Sequence, residues 1–192
     1  AQKGLPGLDL EGLARHRGSV YGKIGLPPSP SQKAFESSLV HFFNAIGEQG
    51  LFIVECESRR VGNLILPPTL MNSMKKGYRL LLYTSIENRV KRIKEVYTEG
   101  PGENICELQK ATGSLEKRIG RVRVEALNRS LSERDFDTVF TYLLKSYYDP
   151  LYRYPDGPSA DYDFSVDTGN MKRAIQELSY FIQNLPEYEH TT

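Results

Sequence analysis

With 192 residues, 39% of them hydrophobic and 26% charged, the chain is long enough for one sizeable core, and its composition excludes a fibrous or disordered protein. A formal net charge of +1 excludes a bulk electrostatic pull toward nucleic acid, so any RNA contact must use local basic patches. No apolar run approaches the roughly 20 residues that cross a bilayer. The opening AQKGLPGLDLEG is unlike a secretory leader, and two cysteines, Cys56 and Cys106, without a C-x-x-C, fit neither a disulfide framework nor a metal site; no membrane and a reducing, cytoplasmic setting are expected.

The DLEGLARHRGS segment (9–19) is polar and punctuated by glycine, and is expected to be a loop. From Ser31, apolar residues recur at Phe35, Leu39, Phe42, Phe43 and Ile46, the spacing of an amphipathic helix that Gly47 ends. LFIVE (51–55) reads as a short buried strand with acidic residues at its C-terminal end. Pro67 and Pro68 open a short helix through Met71 and Met74 that Gly77 stops, and YRLLLYT (78–84) reads as a second buried strand.

Ser85 caps the next helix, whose apolar stripe is Ile86, Val90, Ile93 and Tyr97, with Arg89, Lys91, Arg92 and Lys94 on the other faces. GPGEN (100–104) reads as a linker. Leu115, Ile119 and Val122, then Phe136, Val139, Phe140, Leu143, Leu144 and Tyr147, mark two further helices. YDFSV (162–166) alternates like a strand, and Met171, Ile175, Leu178 and Ile182 follow at helical spacing, with Asp167 or Thr168 as cap. Strands separated by helices predict an α/β fold, a parallel sheet flanked by helices. A single domain over 1–192 is expected, with a helical insertion at about 103–148 and a final strand and helix at 161–185.

In open α/β sheets ligands sit beyond the carboxyl ends of the strands, which singles out the residues after LFIVE. Glu55 and Glu57 flank Cys56 there, and a carboxylate at a strand end can hold Mg²⁺ directly or through water. Arg59 and Arg60 can clamp phosphate oxygens. The plain alternative is a strand end followed by a salt-bridged turn. Arg15, His16, Arg17, Gly18 and Ser19 have the composition of an anion-binding loop, against which stands a solvated basic turn. Arg89 and Arg92 begin the helix after the second strand, where they are candidates for phosphate contact or simply a solvated face. Tyr147, Tyr148, Tyr152 and Tyr154 with Arg153 can stack on unpaired RNA bases, or can close a core. Cys56, directly after an apolar strand, is expected to be buried and inert, and Cys106 lies on a helix without a neighbouring base.

Together, DLEGLARHRGSVYG (9–22), FIVECESRRVGNLILPPTL (52–70), the IENRVKRI helix and LLKSYYDPLYRY (143–154) resemble, in order and spacing, the bacterial tRNA 2-selenouridine synthase family. The resemblance covers nearly the whole chain and implies a truncated P-loop NTPase-like sheet. In that family a rhodanese-like domain with an essential cysteine and a G-x-x-x-x-G-K-[ST] loop precede the first of these segments, and neither is found in this chain. The chain is therefore expected to be a fragment, inactive by itself, whose missing partners are that domain and that loop. The resemblance further implies a partner, tRNA, and two co-substrates, geranyl diphosphate and selenophosphate. Sulfur of a wobble 2-thiouridine would be geranylated and then replaced by selenium. Carried over by position, His16, Arg17, Gly18 and Ser19 would line a phosphate or tRNA site, and Glu55, Glu57, Arg59 and Arg60 would face the P-loop. Arg89, Arg92, Tyr147, Tyr148 and Arg153 are the further phosphate or tRNA candidates, and no residue is assigned as a metal ligand. Two other readings stand beside it: a nucleotide or small-metabolite kinase, and a non-catalytic tRNA-binding module.

Overall fold

The structure, a computed structural model, describes residues 6–47, 51–56, 58–98 and 104–186. In its first half, β1 (Gly7–Leu8), α1 (Leu10–Ala14), α2 (Gln32–Ile46), β2 (Ile53–Val54), β3 (Arg60–Val61), β4 (Leu64–Ile65) and α3 (Pro68–Lys76) follow one another. Then come β5 (Leu80–Tyr83), α4 (Ile86–Thr98), α5 (Ile105–Gly113), α6 (Glu116–Ile119), α7 (Arg121–Ser132) and α8 (Phe136–Leu143). A π-helix (Leu144–Tyr148), α9 (Asp149–Tyr152), β6 (Phe164–Asp167) and α10 (Met171–Gln183) complete the order. Short parallel strand pairs with helices make this an α/β fold, as the strand and helix spacing predicts. The chain divides into two compact units, Ala1–Arg79 with Met171–Thr192, and Leu80–Asn170.

In the first unit, β1 runs parallel to β2, with Gly7 opposite Ile53 and Leu8 opposite Val54. The segment after β1, expected as a loop, is instead α1. Asp9 accepts the Gly12 N–H at 2.6 Å, which satisfies an orphan donor of the first turn. Leu10 and Ala14, four residues apart, are fully buried. A cap and two buried side chains outweigh a polar composition in so short a helix.

β3 and β4 form an antiparallel hairpin across Gly62 and Asn63, with Arg60 opposite Ile65 and Val61 opposite Leu64. Gly62 takes φ +59, and a positive φ at the first central residue alone is the II′ pattern of two-residue hairpins. α2 begins at Ser31, whose Oγ accepts from Ala34 N at 3.2 Å, and ends at Gly47. Its first residue, Gln32, donates to Ile65 O at 2.8 Å and accepts from Ile65 N at 2.9 Å, so a side-chain amide takes the place of a neighbouring strand on β4.

Leu8, Leu10, Ala14, Phe35, Leu39, Val61, Leu64, Leu66 and Leu70 form the buried core of this unit. Burying a side chain the size of Phe35 contributes about 1.5–3 kcal/mol. Phe42, Phe43 and Phe52 pack edge-to-face beside it at centroid separations of 5.4–6.0 Å. α10 also belongs here, and Phe181 meets Tyr78 edge-to-face. Of its expected apolar stripe Ile182 is buried, whereas Met171 and Ile175 are exposed and Ala174 is buried in their stead.

In the second unit β5 lies parallel to β6, in register from Leu80↔Phe164 to Tyr83↔Asp167. Neither strand run is buried throughout: Leu82 of β5 is 53% exposed, and so in part is Ile53 of β2, because each lies in a two-stranded ladder. Ser85 caps α4 by accepting from Asn88 N. The helix expected through Leu115, Ile119 and Val122 is broken by Gly120 (φ +84), which begins α7 anew. The buried stripe of α7 is Val124, Leu127 and Leu131, and Val122 is left 82% exposed.

α8 passes into the π-helix just before Pro150, which has no N–H for a regular turn. Arg153, at φ 50, ends α9. Of the expected linker, residues 100–103 lie outside the described residues. Among the described residues no helix is long and apolar enough to cross a membrane.

Candidate functional site

The first unit brings the 15–22 loop against the β3–β4 turn, with His16 as the joint. Its imidazole is held edge to edge between two glycines. A Cβ on Gly22 would lie 2.6 Å from His16 Cε1 and 2.7 Å from Nδ1, and a Cβ on Gly62 would lie 2.8 Å from Cδ2 and Cγ. Glycine is required at both positions for the ring to fit. Nδ1 is buried and has no hydrogen-bond partner. Burial lowers the pKa of the imidazole below its ordinary 6.5, and the nearby Lys23 charge adds to the shift. The neutral ring is thus favoured, and an unpaired acceptor is less costly than an unpaired donor, so the proton belongs on Nε2.

The loop around His16 is closed by its own backbone. Arg17 N donates to Gly22 O, Ser19 N to Arg17 O and Gly22 N to Ser19 O, with Gly18 at φ 62. Arg17 Nη1 donates to Ile24 O at 2.9 Å and Arg15 Nη1 to Pro28 O at 3.2 Å. At least part of each guanidinium therefore shapes the loop.

Glu55 stands at the other end of α1, accepting the Leu10 N–H on Oε2 at 3.0 Å. A carboxylate at a helix N-terminus complements the dipole there. The five residues of α1 span about 7–8 Å, so Glu55 and the His16 loop occupy opposite ends of one short helix. Arg59 and Arg60 are exposed: Arg59 O accepts from Leu66 N, and the backbone of Arg60 is tied to Ser58 Oγ. Glu57 lies outside the described residues. Cys56, expected to be buried, is exposed, because β2 stops at Val54 and the chain has left the ladder before it.

In the second unit the arginines of α4 are used internally. Arg89 forms a fork with Asp149, Nη1 to Oδ2 at 2.9 Å, and lies 4.2 Å above the Tyr154 ring. Arg92 Nη1 and Nη2 donate to Thr168 Oγ1 and O, and Thr168 Oγ1 in turn bonds Tyr83 O. Thr168 and Asp167, expected as caps of α10, are thereby engaged elsewhere, Asp167 with Gly169 N. Tyr154 donates to Leu82 O at 3.1 Å, and burial raises its pKa, with Arg89 opposing. Tyr147 and Tyr148 are half-buried and meet edge-to-face at 4.9 Å, and Arg153 is exposed.

Sequence reasoning missed the hairpin that supplies one wall of the His16 slot. The signal was present as Val61-Gly62-Asn63-Leu64, a Gly-Asn pair between apolar residues. Lys23 belongs to no local motif, and nothing in the 9–22 segment pairs Gly22 with His16.

The family described as tRNA 2-selenouridine synthase AAA domain matches residues 2–179. A curated tRNA 2-selenouridine synthase from Hydrogenovibrio crunogenus (strain DSM 25203 / XCL-2) is 32% identical over 194 residues, covering 90% of this chain and 53% of that protein. The chain thus spans about half the length of the curated relative it matches. No solved structure matches. The chain belongs to the tRNA 2-selenouridine synthase family.

Proposed function

We propose, on the premise of that membership, that the whole protein is a transferase acting on tRNA, which geranylates a wobble 2-thiouridine and then replaces its sulfur with selenium from selenophosphate. The family match across residues 2–179 is the observation that carries this reading. The chemistry is coherent, because alkylation makes sulfur a better leaving group, and both geranyl diphosphate and selenophosphate present phosphate oxygens to a site. His16, Arg17, Gly18 and Ser19 are proposed to line that site, and Glu55, Glu57, Arg59 and Arg60 to face the phosphate loop. The neutral His16, with its proton on Nε2, offers a donor to a phosphate oxygen at a fixed position. The exposed Arg59 and Arg60 offer charge. Mg²⁺ carried by the diphosphate is proposed to take the Glu55 carboxylate, directly or through water. Arg89, Arg92, Tyr147, Tyr148 and Arg153 are proposed on the tRNA side, with Arg89 and Arg92 acting through the elements they hold. A rhodanese-like domain and a phosphate loop elsewhere in the whole protein complete the proposal, with cytoplasmic tRNA as substrate.

The test is to incubate the whole protein with thiolated tRNA and geranyl diphosphate and to weigh the anticodon nucleoside. A mass gain of one geranyl group is expected, reduced when Arg59→Ala and Arg60→Ala are combined. No gain, with ATP-dependent phosphorylation of a small molecule in its place, would overturn the reading in favour of a kinase.

A further inference from the structure

We propose that Lys23 is the second arm of the anion site at His16, so that the terminal phosphate of a co-substrate is held between Lys23 Nζ and His16 Nε2; this rests on the transferase reading above. Lys23 is exposed, yet its backbone is fixed, because Tyr21, Gly22 and Ile24 around it are buried and its carbonyl accepts from Leu26 N at 3.2 Å. Gly22, the residue before it, is the one that abuts the Cε1–Nδ1 edge of the imidazole. The ammonium is therefore carried on a four-carbon stem that starts beside the ring. Of the two ring nitrogens Nδ1 is buried, and neither has a hydrogen-bond partner among the described residues, which leaves Nε2 as the donor open to a ligand.

An uncompensated charge marks the pair as a site. Glu11 of α1, Arg15 and Arg17 of the loop, and Arg59 and Arg60 of the hairpin lie on the elements around His16. Lys23 is nevertheless the one charge among the described residues that acts on the imidazole, and it opposes protonation there. No carboxylate offsets it at the ring, and among the described residues no ion pair holds the ammonium. A bound anion reverses the sign of this arrangement, because both groups then donate charge-assisted hydrogen bonds to its oxygens. The loop has further donors. The N–H groups of Arg17, Ser19, Gly22 and Ile24 close it, whereas those of Gly18, at φ 62, and Lys23 meet no acceptor among the described residues. Unused backbone N–H groups in such a turn make an anion-binding concavity. A terminal phosphate, with about two charges and three acceptor oxygens, suits this donor set better than a phosphodiester, which shares two of its oxygens with the RNA chain. Geranyl diphosphate and selenophosphate both present such a group.

The experiment measures binding of geranyl diphosphate, selenophosphate and tRNA to the whole protein by calorimetry. The His16 Cε1–H resonance, assigned by its absence in His16→Gln, is followed in parallel. Lys23→Gln is expected to weaken binding of the co-substrate seated there roughly 10- to 100-fold, the span of one hydrogen bond between charged groups, and Lys23→Arg to restore most of it. The co-substrate that loses affinity is the one whose phosphate occupies the site, and loss with both assigns the site to the group they share. Bound co-substrate is also expected to raise the pH at which His16 titrates, and Lys23→Gln alone raises it by removing the repulsion. Circular dichroism of each variant reports folding, and the His16 resonance of the unaltered protein decides the matter should Lys23→Gln unfold. Co-substrate affinities unchanged by Lys23→Gln, or a His16 titration that neither co-substrate moves, overturns the site and leaves the transferase reading intact. Affinity lost for tRNA alone also overturns it, since the phosphate is then that of the RNA backbone. An unaltered protein that binds neither co-substrate and geranylates no tRNA overturns the site together with the reading it rests on.

Discussion

Alanine at Gly62 tests whether the hairpin and the His16 ring form one device. Two costs add. The left-handed backbone, φ +59, disfavours an L side chain by about 1–2 kcal/mol. The new Cβ would also sit 2.8 Å from His16 Cδ2 and Cγ, and the ring cannot retreat, because Gly22 already abuts its Cε1–Nδ1 edge. Overpacking of this kind adds about 1–3 kcal/mol. Gly62→Ala should therefore lose about 2–5 kcal/mol of stability in the first unit. Urea unfolding followed by tyrosine circular dichroism measures it. In a double-mutant cycle, His16→Ala removes the obstructing ring, and only the backbone part, about 1–2 kcal/mol, should remain for Gly62→Ala. An equal cost in both backgrounds would refute the clamp, and a loss near zero would refute the strained turn as well.

His16 also makes a pH prediction. Its folded pKa lies below the ordinary 6.5, so above pH 6.5 the neutral ring contributes its full stability, which is then lost as pH falls from 6.5 through the folded value, where the unfolded chain binds the extra proton. Thermal melts from about pH 8 to 5 should show this slope, and His16→Gln should flatten it; an unchanged slope would sink the assignment. Asp149→Ala should cost the second unit about 2 kcal/mol, less than for a fully buried pair because each side chain keeps about a sixth of its exposure. Asp149→Ala together with Arg89→Met should recover part of that loss in a melt, and a double variant no better than the single one would show that the ion pair is not what fails.

Long periodic segments were legible because their signal is carried by many residues at once. α2 is an instance: Ser31 and Gly47 mark its ends, and Phe35 and Leu39 are buried as their spacing requires. α1 was not legible, since five residues give too little periodicity and its stability comes from Asp9 and from partners far along the chain, such as Glu55. Val122 and Met171 failed for a related reason. Spacing says which residues share a face, but not which face finds a neighbour, and Gly120 restarts the helical phase before Val122. The basic face of α4 read as solvated; Asp149 and Thr168, 60 and 76 residues away, decide otherwise for Arg89 and Arg92.

By itself the sequence determined the alternation of strands and helices, the α/β class and the kinship carried by residues 9–22 and 52–70, because these are properties of local spacing and residue order. Only the tertiary structure decided that His16 sits between Gly22 and Gly62, that Glu55 caps a helix 45 residues before it, and that Tyr152 lies nearly parallel to Tyr148. Each of these depends on non-local contact or on how far a side chain is buried, and neither is written in the order of residues along the chain.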